Sequence, residues 1–196
     1  MLVTLEGIDG AGKTTVREEL SDEFPDAVFT REPTESWLGD AVKRSIGDDD
    51  SDPLTDLFLF VADHADHIRR VIEPALEDDR LVICDRYIDS RFAYQSVALE
   101  GREGIDDPTE WIRGLHEGWT VVPDLTLLLD IDPETAVERL GGEDERIKFE
   151  RVEYLREVRE NYLELAEASD RFVVVDAERD SETVTRDCVE VLESCM

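Results

Sequence analysis

Apolar runs of four to six residues recur along the chain, separated by longer stretches in which apolar positions return every three or four residues. The short runs are Leu2 to Glu6, Ala27 to Thr30, Leu81 to Asp85, Leu125 to Asp130 and Phe172 to Asp176. Continuous apolar runs of this length predict strands covered on both faces. Helical spacing predicts helices over Thr14 to Glu23, Ser36 to Ile46, Pro53 to Glu77, Ser90 to Leu99, Pro108 to Val121, Pro133 to Leu140, Phe149 to Ala168 and Ser181 to Leu192. In the last, Val184, Cys188, Val191 and Leu192 recur at that spacing. Strand–helix alternation from end to end predicts an α/β fold, a five-stranded parallel sheet with helices on both faces. The chain has 196 residues and shows no repeat or low-complexity linker, so one domain is expected. Gly141 to Arg146, GGEDER, is too polar and glycine-rich for a core and lies between two helices. It reads as a mobile flap, with a lid over roughly 139–150.

Gly7-Ile8-Asp9-Gly10-Ala11-Gly12-Lys13-Thr14 satisfies G-x-x-x-x-G-K-S/T, after a predicted strand and at the mouth of a predicted helix. Its glycines let the backbone turn so that N–H groups point at phosphate oxygens, and the helix dipole adds to them. Lys13 is then placed for the β and γ phosphates, the Thr14 hydroxyl for a magnesium ion, and Thr15 for the first helical turn beneath them. A phosphate loop specifies nucleoside triphosphate binding but no reaction. The chain is short for a motor; it has no Asn-Lys-x-Asp segment of the kind that reads guanine and, the phosphate loop itself aside, no Asp-x-x-Gly after a strand. The glycine spacing is also wrong for a dinucleotide fingerprint.

A second constellation, Cys84-Asp85-Arg86-Tyr87-Ile88-Asp89-Ser90-Arg91-Phe92-Ala93-Tyr94-Gln95, starts where another apolar strand ends. Ligands of open α/β sheets sit beyond the carboxyl ends of strands, so Asp85 and Arg86 are expected to face the phosphate loop. The aspartate suits magnesium or its waters, and the arginine can clamp a phosphate bidentately. Thr30-Arg31-Glu32-Pro33-Thr34 ends another strand, and Leu57-Phe58-Leu59-Phe60-Val61-Ala62-Asp63 lies on a long helix.

In order and approximate spacing these segments resemble the thymidylate kinase family. The D-R-Y-x-x-S-x-x-A-Y-Q string is the most specific of them, and the likeness extends through Pro123 to Asp130 and Tyr162 to Ala166, nearly the whole chain. The resemblance implies a P-loop kinase three-layer sandwich and phosphoryl transfer from ATP to dTMP with Mg2+, in a homodimer. It implies that Asp9 faces the acceptor and its magnesium, Arg86 holds the dTMP phosphate with Arg31 nearby, and Asp85 is the magnesium partner. It also implies that Phe60 stacks on thymine, Tyr94 lies under the deoxyribose and Gln95 lies near base or sugar. In this family a catalytic arginine comes from the phosphate loop or from the flap. Position 10 is glycine, so the flap is expected to supply it, through Arg146 and Arg139, with Lys148 also available.

Two positions depart from the family pattern. His64 stands where the family commonly has an arginine directed at the thymine carbonyl, and Arg91 where it has a small polar residue. The two positions are expected to have exchanged donors, with both His64 and Arg91 near the base. A metal site on His64 and His67 lacks a third ligand motif. The alternative enzyme is a kinase for another nucleoside monophosphate or for a deoxynucleoside; the latter would need a carboxylate base, for which Glu6 is the candidate. A non-catalytic ATP-binding module would be expected to lose Lys13 or Asp85, and both are present.

Charge adds a setting. Asp plus Glu number 51 against 21 Lys plus Arg, a net charge of −30 spread over every segment. A nucleic-acid partner would need a basic footprint, so none is expected. The pattern resembles proteins of organisms with molar salt in the cytoplasm, where screening over about 3 Å removes most self-repulsion. No apolar run approaches a membrane span, and MLVTLEGIDG carries no basic leader, so a cytoplasmic protein is expected. Cys84 reads as a small core residue, and Cys188 and Cys195 as incidental.

Overall fold

The computed structural model describes the backbone of residues 1–141 and 145–196, and the side chains of 1–141 and 150–196. The expected flap falls mostly outside these described residues.

Five strands form one parallel sheet: β1 (Leu2–Glu6), β2 (Val28–Arg31), β3 (Val82–Asp85), β4 (Leu125–Asp130) and β5 (Phe172–Asp176), in the order β2-β3-β1-β4-β5. All five lie within one residue of the apolar runs. Every residue of β1 is buried, because helices cover both sides of a central parallel strand. Side chains alternate along it, so Leu2 joins the core on one face while Val3 and Leu5 join the core on the other. Leu5 pairs with Asp85, and Arg31 with Asp85. That register sets the segments leaving β1, β2 and β3 side by side at the carboxyl edge of the sheet. The sheet also changes direction at β1, between β3 and β4, which is where an open α/β sheet leaves a crevice.

On one face α1 (Lys13–Glu23) and the helices Glu145–Glu167 and Ser181–Cys195 contribute Val16, Leu20, Leu155, Val158, Cys188 and Leu192. On the other, α3 (Pro53–His67), against which α2 (Trp37–Ile46) packs, and the helix Pro108–His116 contribute Leu57 and Ile112 around Cys84 and Tyr87. Cys84 is thus a core residue as expected. Cys188 is not incidental: it is fully buried, and only Cys195 is exposed.

Helix lengths depart from the periodicity where backbone chemistry intervenes. The expected helix from Pro53 to Glu77 exists, but a π turn at Ile68–Ile72 interrupts it. Pro74 has no N–H to close an α-helical bond, and the wider turn just before it takes up the register. The helix expected from Ser90 begins at Ile88 and contains a second π turn, Arg91–Gln95, within the constellation that follows β3. The helix from Pro108 stops at His116 rather than Val121, because Gly118 adopts a φ of 83°. No helix among the described residues is long and apolar enough to cross a membrane.

Candidate functional site

The loop between β1 and α1 turns on Gly7, Gly10 and Gly12, with φ of 135°, 85° and 93°. A Cβ at Gly7 would stand 2.4 Å from the Leu129 carbonyl oxygen, and one at Gly10 would stand 2.4 Å from that of Ala136. The loop is therefore pressed against the end of β4 and the helix Pro133–Leu140, and position 10 has no room for any side chain. Lys13 Nζ donates to the carbonyls of Gly7 and Ile8, 2.9 Å each. Burial, reinforced by the Arg86 guanidinium, pushes this ammonium down to about 7. Loop and helix line a cavity of about 610 Å³ that reaches Asp9 to Thr15, Arg31, Asp85, Arg86 and Arg139.

A phosphate-bearing ligand in this cavity should return Lys13 toward the ordinary lysine value. At pH 8.5 binding is then expected to take up close to one proton, and affinity to fall as pH rises above about 7, since the protonated form is the one bound. Calorimetric titration in buffers of different ionisation enthalpy measures that uptake. A Lys13→Met protein should show none.

Asp85 ends β3 on the wall of the same cavity, 5% exposed, and its Oδ1 has no hydrogen-bond partner among the described residues. A buried, unpartnered carboxylate oxygen facing a phosphate loop is the donor that a hard divalent cation takes. With the Thr14 hydroxyl on the same wall, the residues fit a magnesium ion. Arg86 follows with a φ of 64°, a left-handed conformation uncommon for a residue bearing a side chain. That turn sends its guanidinium back across the loop. Nη2 donates to Asp9 Oδ1 at 2.5 Å and to the Tyr94 hydroxyl at 3.3 Å, and Nη1 to Ser90 Oγ at 3.2 Å and the Gly7 carbonyl at 3.3 Å.

A second cavity of about 440 Å³ opens on the other side of Arg86. Phe60, Arg91, Tyr94, Gln95 and Tyr154 are on its wall, and Asp9 and Arg86 belong to both cavities. The Tyr94 hydroxyl accepts from the Asp9 N–H at 2.9 Å, tying the second cavity to the phosphate loop. Most of the expected site residues thus meet around one junction. Arg31 is on the wall of the first cavity rather than the second.

His64 does not take its expected place at the base. It is fully buried behind the wall, its Nδ1 2.9 Å from Glu32 Oε1 and its Nε2 3.3 Å from Thr120 Oγ1. Residue 64 shares a face of α3 with Phe60 but lies one turn further along, past the cavity, where Glu32 and Thr120 take up its two ring nitrogens. His67 also faces Glu32, and no group of three metal ligands occurs among the described residues. Glu6 lines neither cavity. It accepts from the Tyr87 N–H, Ser90 and Tyr162, at 2.8, 2.6 and 2.8 Å, and burial with the nearby Asp89 pushes it up to about 7. As a base for a hydroxyl acceptor it is already occupied.

The side chains of Arg146 and Lys148 lie outside the described residues. Three contributors escaped the sequence reading. The loop after β5 brings Ala177, Arg179 and Asp180 to the first cavity, and its position beyond a strand's carboxyl end was the available signal. Tyr154 on the helix Glu145–Glu167 reaches the second cavity, and from the same helix Arg151 comes within 3.9 Å of Asp9 Oδ2. Nothing in their local sequence marks those two.

A family model described as thymidylate kinase matches residues 5–188. A probable thymidylate kinase of Halorubrum lacusprofundi is 55% identical over 194 residues, covering 98% of this chain and 97% of its own length. One from Methanococcoides burtonii is 53% identical over 196 residues, covering 98% of this chain and 96% of its own. Relatives from halophilic archaea accord with the acidic composition. The crystal structure of thymidylate kinase from Ehrlichia chaffeensis superposes with a TM-score of 0.75 at 28% identity, covering 98% of both chains. With family model, relatives and solved structure in agreement over nearly its full length, the chain belongs to the thymidylate kinase family.

Proposed function

We propose that this protein transfers the γ-phosphoryl group of ATP to the phosphate of dTMP, giving ADP and dTDP. The observation that carries this reading is the pair of cavities sharing Asp9 and Arg86, one built on a phosphate loop and the other walled by the aromatics Phe60, Tyr94 and Tyr154 and the Gln95 amide. ATP fits the first, with Gly7 to Thr15 around its phosphates. The acceptor fits the second, with Phe60 against the base, Tyr94 under the sugar, Gln95 beside them and Arg86 on its phosphate. Arg31 stands near the acceptor phosphate from the other side.

The acceptor oxygen is already anionic, so no strong base is required, and the chemistry reduces to alignment and charge neutralisation. Arg86 and Lys13 bring donors to both phosphates across the junction. Asp9 orients Arg86 through its carboxylate and Tyr94 through its N–H. Thr14, Asp85 and Asp9 would hold the magnesium ion, which supplies charge neutralisation between the phosphates when bound. With no room for a side chain at Gly10, a further arginine comes from Arg139 or from the segment carrying Arg146 and Arg151. We take the working form to be a cytoplasmic homodimer.

Purified protein in molar KCl with ATP and Mg2+ is offered dTMP, dUMP, dCMP or thymidine, and ADP is measured. ADP formation should depend on the acceptor and be fastest with dTMP. Hydrolysis independent of acceptor, or thymidine preferred to dTMP, would overturn the proposal.

A further inference from the structure

Arg86 is held from two sides. On the outer side Nη2 donates to Asp9, whose side chain is 45% exposed and also has Arg151 within 3.9 Å of Oδ2. On the inner side Nη1 donates to Ser90 Oγ at 3.2 Å, with the Gly7 carbonyl 3.3 Å from the same nitrogen. Ser90 is 9% exposed, and behind it stand Glu6 and Tyr162, at 0% and 1%. These three side chains come from the end of β1, the helix after β3 and the helix Glu145–Glu167, and they meet only through the tertiary fold.

Their hydrogen bonds run in one direction. An ionised carboxylate only accepts, so the Ser90 hydroxyl donates to Glu6 Oε2 at 2.6 Å and the Tyr162 hydroxyl to the same oxygen at 2.8 Å. The Tyr87 N–H donates to Oε1 at 2.8 Å, which fixes the plane of the carboxylate. A hydroxyl has a single proton. With that proton committed to Glu6, Ser90 Oγ has lone pairs left to accept, and the Arg86 guanidinium takes one of them. A buried carboxylate costs free energy that an apolar side chain of similar size would not. Here it sets the direction of the Ser90 hydroxyl. Glu6 lines neither nucleotide cavity, so it reaches a ligand there only through Ser90 and Arg86.

We infer that Glu6, Ser90 and Tyr162 are positioning residues for Arg86, an inner anchor that keeps its guanidinium aimed at the acceptor phosphate. This rests on the reading of the second cavity as the acceptor site with Arg86 on its phosphate. Asp9, the outer anchor, is open to solvent and to other cations, whereas the inner one is closed to both. A guanidinium delivers two parallel bonds to a phosphate only when its plane is fixed, and acceptors on both nitrogens fix it.

The experiment measures by calorimetry, in molar KCl, how much more tightly the protein binds dTMP than thymidine, which lacks only the phosphate. It is run at about pH 8, above the value of about 7 to which burial and Asp89 push Glu6, so that the carboxylate is ionised. Glu6→Gln keeps the shape but sets an amide nitrogen where one carboxylate oxygen accepted. Turned toward the hydroxyls, that nitrogen competes with Arg86 for the Ser90 lone pairs. The dTMP/thymidine affinity ratio should fall about tenfold, with thymidine and ATP binding unchanged. Ser90→Ala should lower it about as far, and Ser90→Thr, which keeps the hydroxyl, should stay within about threefold of wild type. In an Arg86→Ala background, Glu6→Gln should change the ratio by less than about twofold, because the group it aims is gone. Thermal melts check folding. Should Glu6→Gln fail to fold, Tyr162→Phe, which removes a hydroxyl and little volume, should lower the ratio about threefold, and no change there overturns the assignment. An unchanged ratio in folded Glu6→Gln and Ser90→Ala overturns it as well. So does an equal loss for dTMP and thymidine, or a Glu6→Gln effect that persists without Arg86. Wild type that binds thymidine as tightly as dTMP would instead remove the phosphate from Arg86, and sink the reading of the second cavity together with this assignment.

Discussion

Arg86→Ala should lower kcat/KM for dTMP by about a thousandfold while changing ATP affinity by no more than about threefold. The magnitude follows from what the side chain does at once: it stands in both cavities, spans Asp9, Ser90 and Tyr94, and would bring two parallel donors to an acceptor phosphate. Truncation leaves the transferred charge without those donors and Asp9 without its fork. The loss should fall mainly on the acceptor, because Arg86 touches the loop at the Gly7 carbonyl and the Asp9 carboxylate. The loop N–H groups and Lys13 that serve a bound phosphate are donors and do not hydrogen-bond to Arg86. A second readout separates this from unfolding. The guanidinium helps depress the Lys13 ammonium, so its removal should raise Lys13 above about 7 and shrink the proton uptake on nucleotide binding. Initial rates with dTMP varied, joined to calorimetry of ATP binding, test both. Equal losses for dTMP and ATP would contradict the division of labour between the two cavities.

Asp85→Asn should reduce kcat by about two to three orders of magnitude and raise the magnesium concentration needed for half-maximal rate. The substitution keeps shape and halves the acceptor capacity of the group. No donor among the described residues leans on Oδ1, so the fold loses no hydrogen bond from them there, and the melting temperature should move by less than about 4 °C. Excess magnesium should recover part of the activity. A large fall in melting temperature with no shift in the magnesium requirement would make Asp85 a structural residue instead. The two substitutions are neighbours in sequence and act on different partners, Arg86 on the acceptor and Asp85 on the metal. Their effects are not expected to add, since both shape charge at the same transferred group.

The charge pattern bears on how such measurements are run. With a net charge of −30, mutual repulsion opposes compactness at low salt, and most arginines on the surface lean on carboxylates, as Arg102 does on Asp52 and Arg159 on Asp130. Molar KCl screens the repulsion over a few ångströms while leaving buried pairs such as Arg91–Glu32 nearly untouched.

What the chain determined by itself was everything carried by local backbone chemistry. Continuous apolar runs located all five strands to within a residue, because a strand buried on both faces has no solvent side to interrupt it. The phosphate loop was legible because only glycine tolerates the φ values at Gly7, Gly10 and Gly12. Asp85 and Arg86 were legible from their place at a strand's end. Tertiary structure decided the rest. Periodicity alone gave no sign of the π turns at Ile68–Ile72 and Arg91–Gln95, so which residues of those helices look into the cavity could not be counted off at 3.6 per turn. His64 and Arg91, 27 positions apart by number and equally polar on paper, were expected together at the base; instead the first lies behind the wall and the second on it. Tyr154, Arg151 and Arg179 reach the site from far along the chain by sheet order and helix packing. Local pattern encodes whether a residue is buried. Which buried groups meet, as Glu32 meets two histidines and an arginine, is set only when β2, α3 and the helix after β3 close on one another.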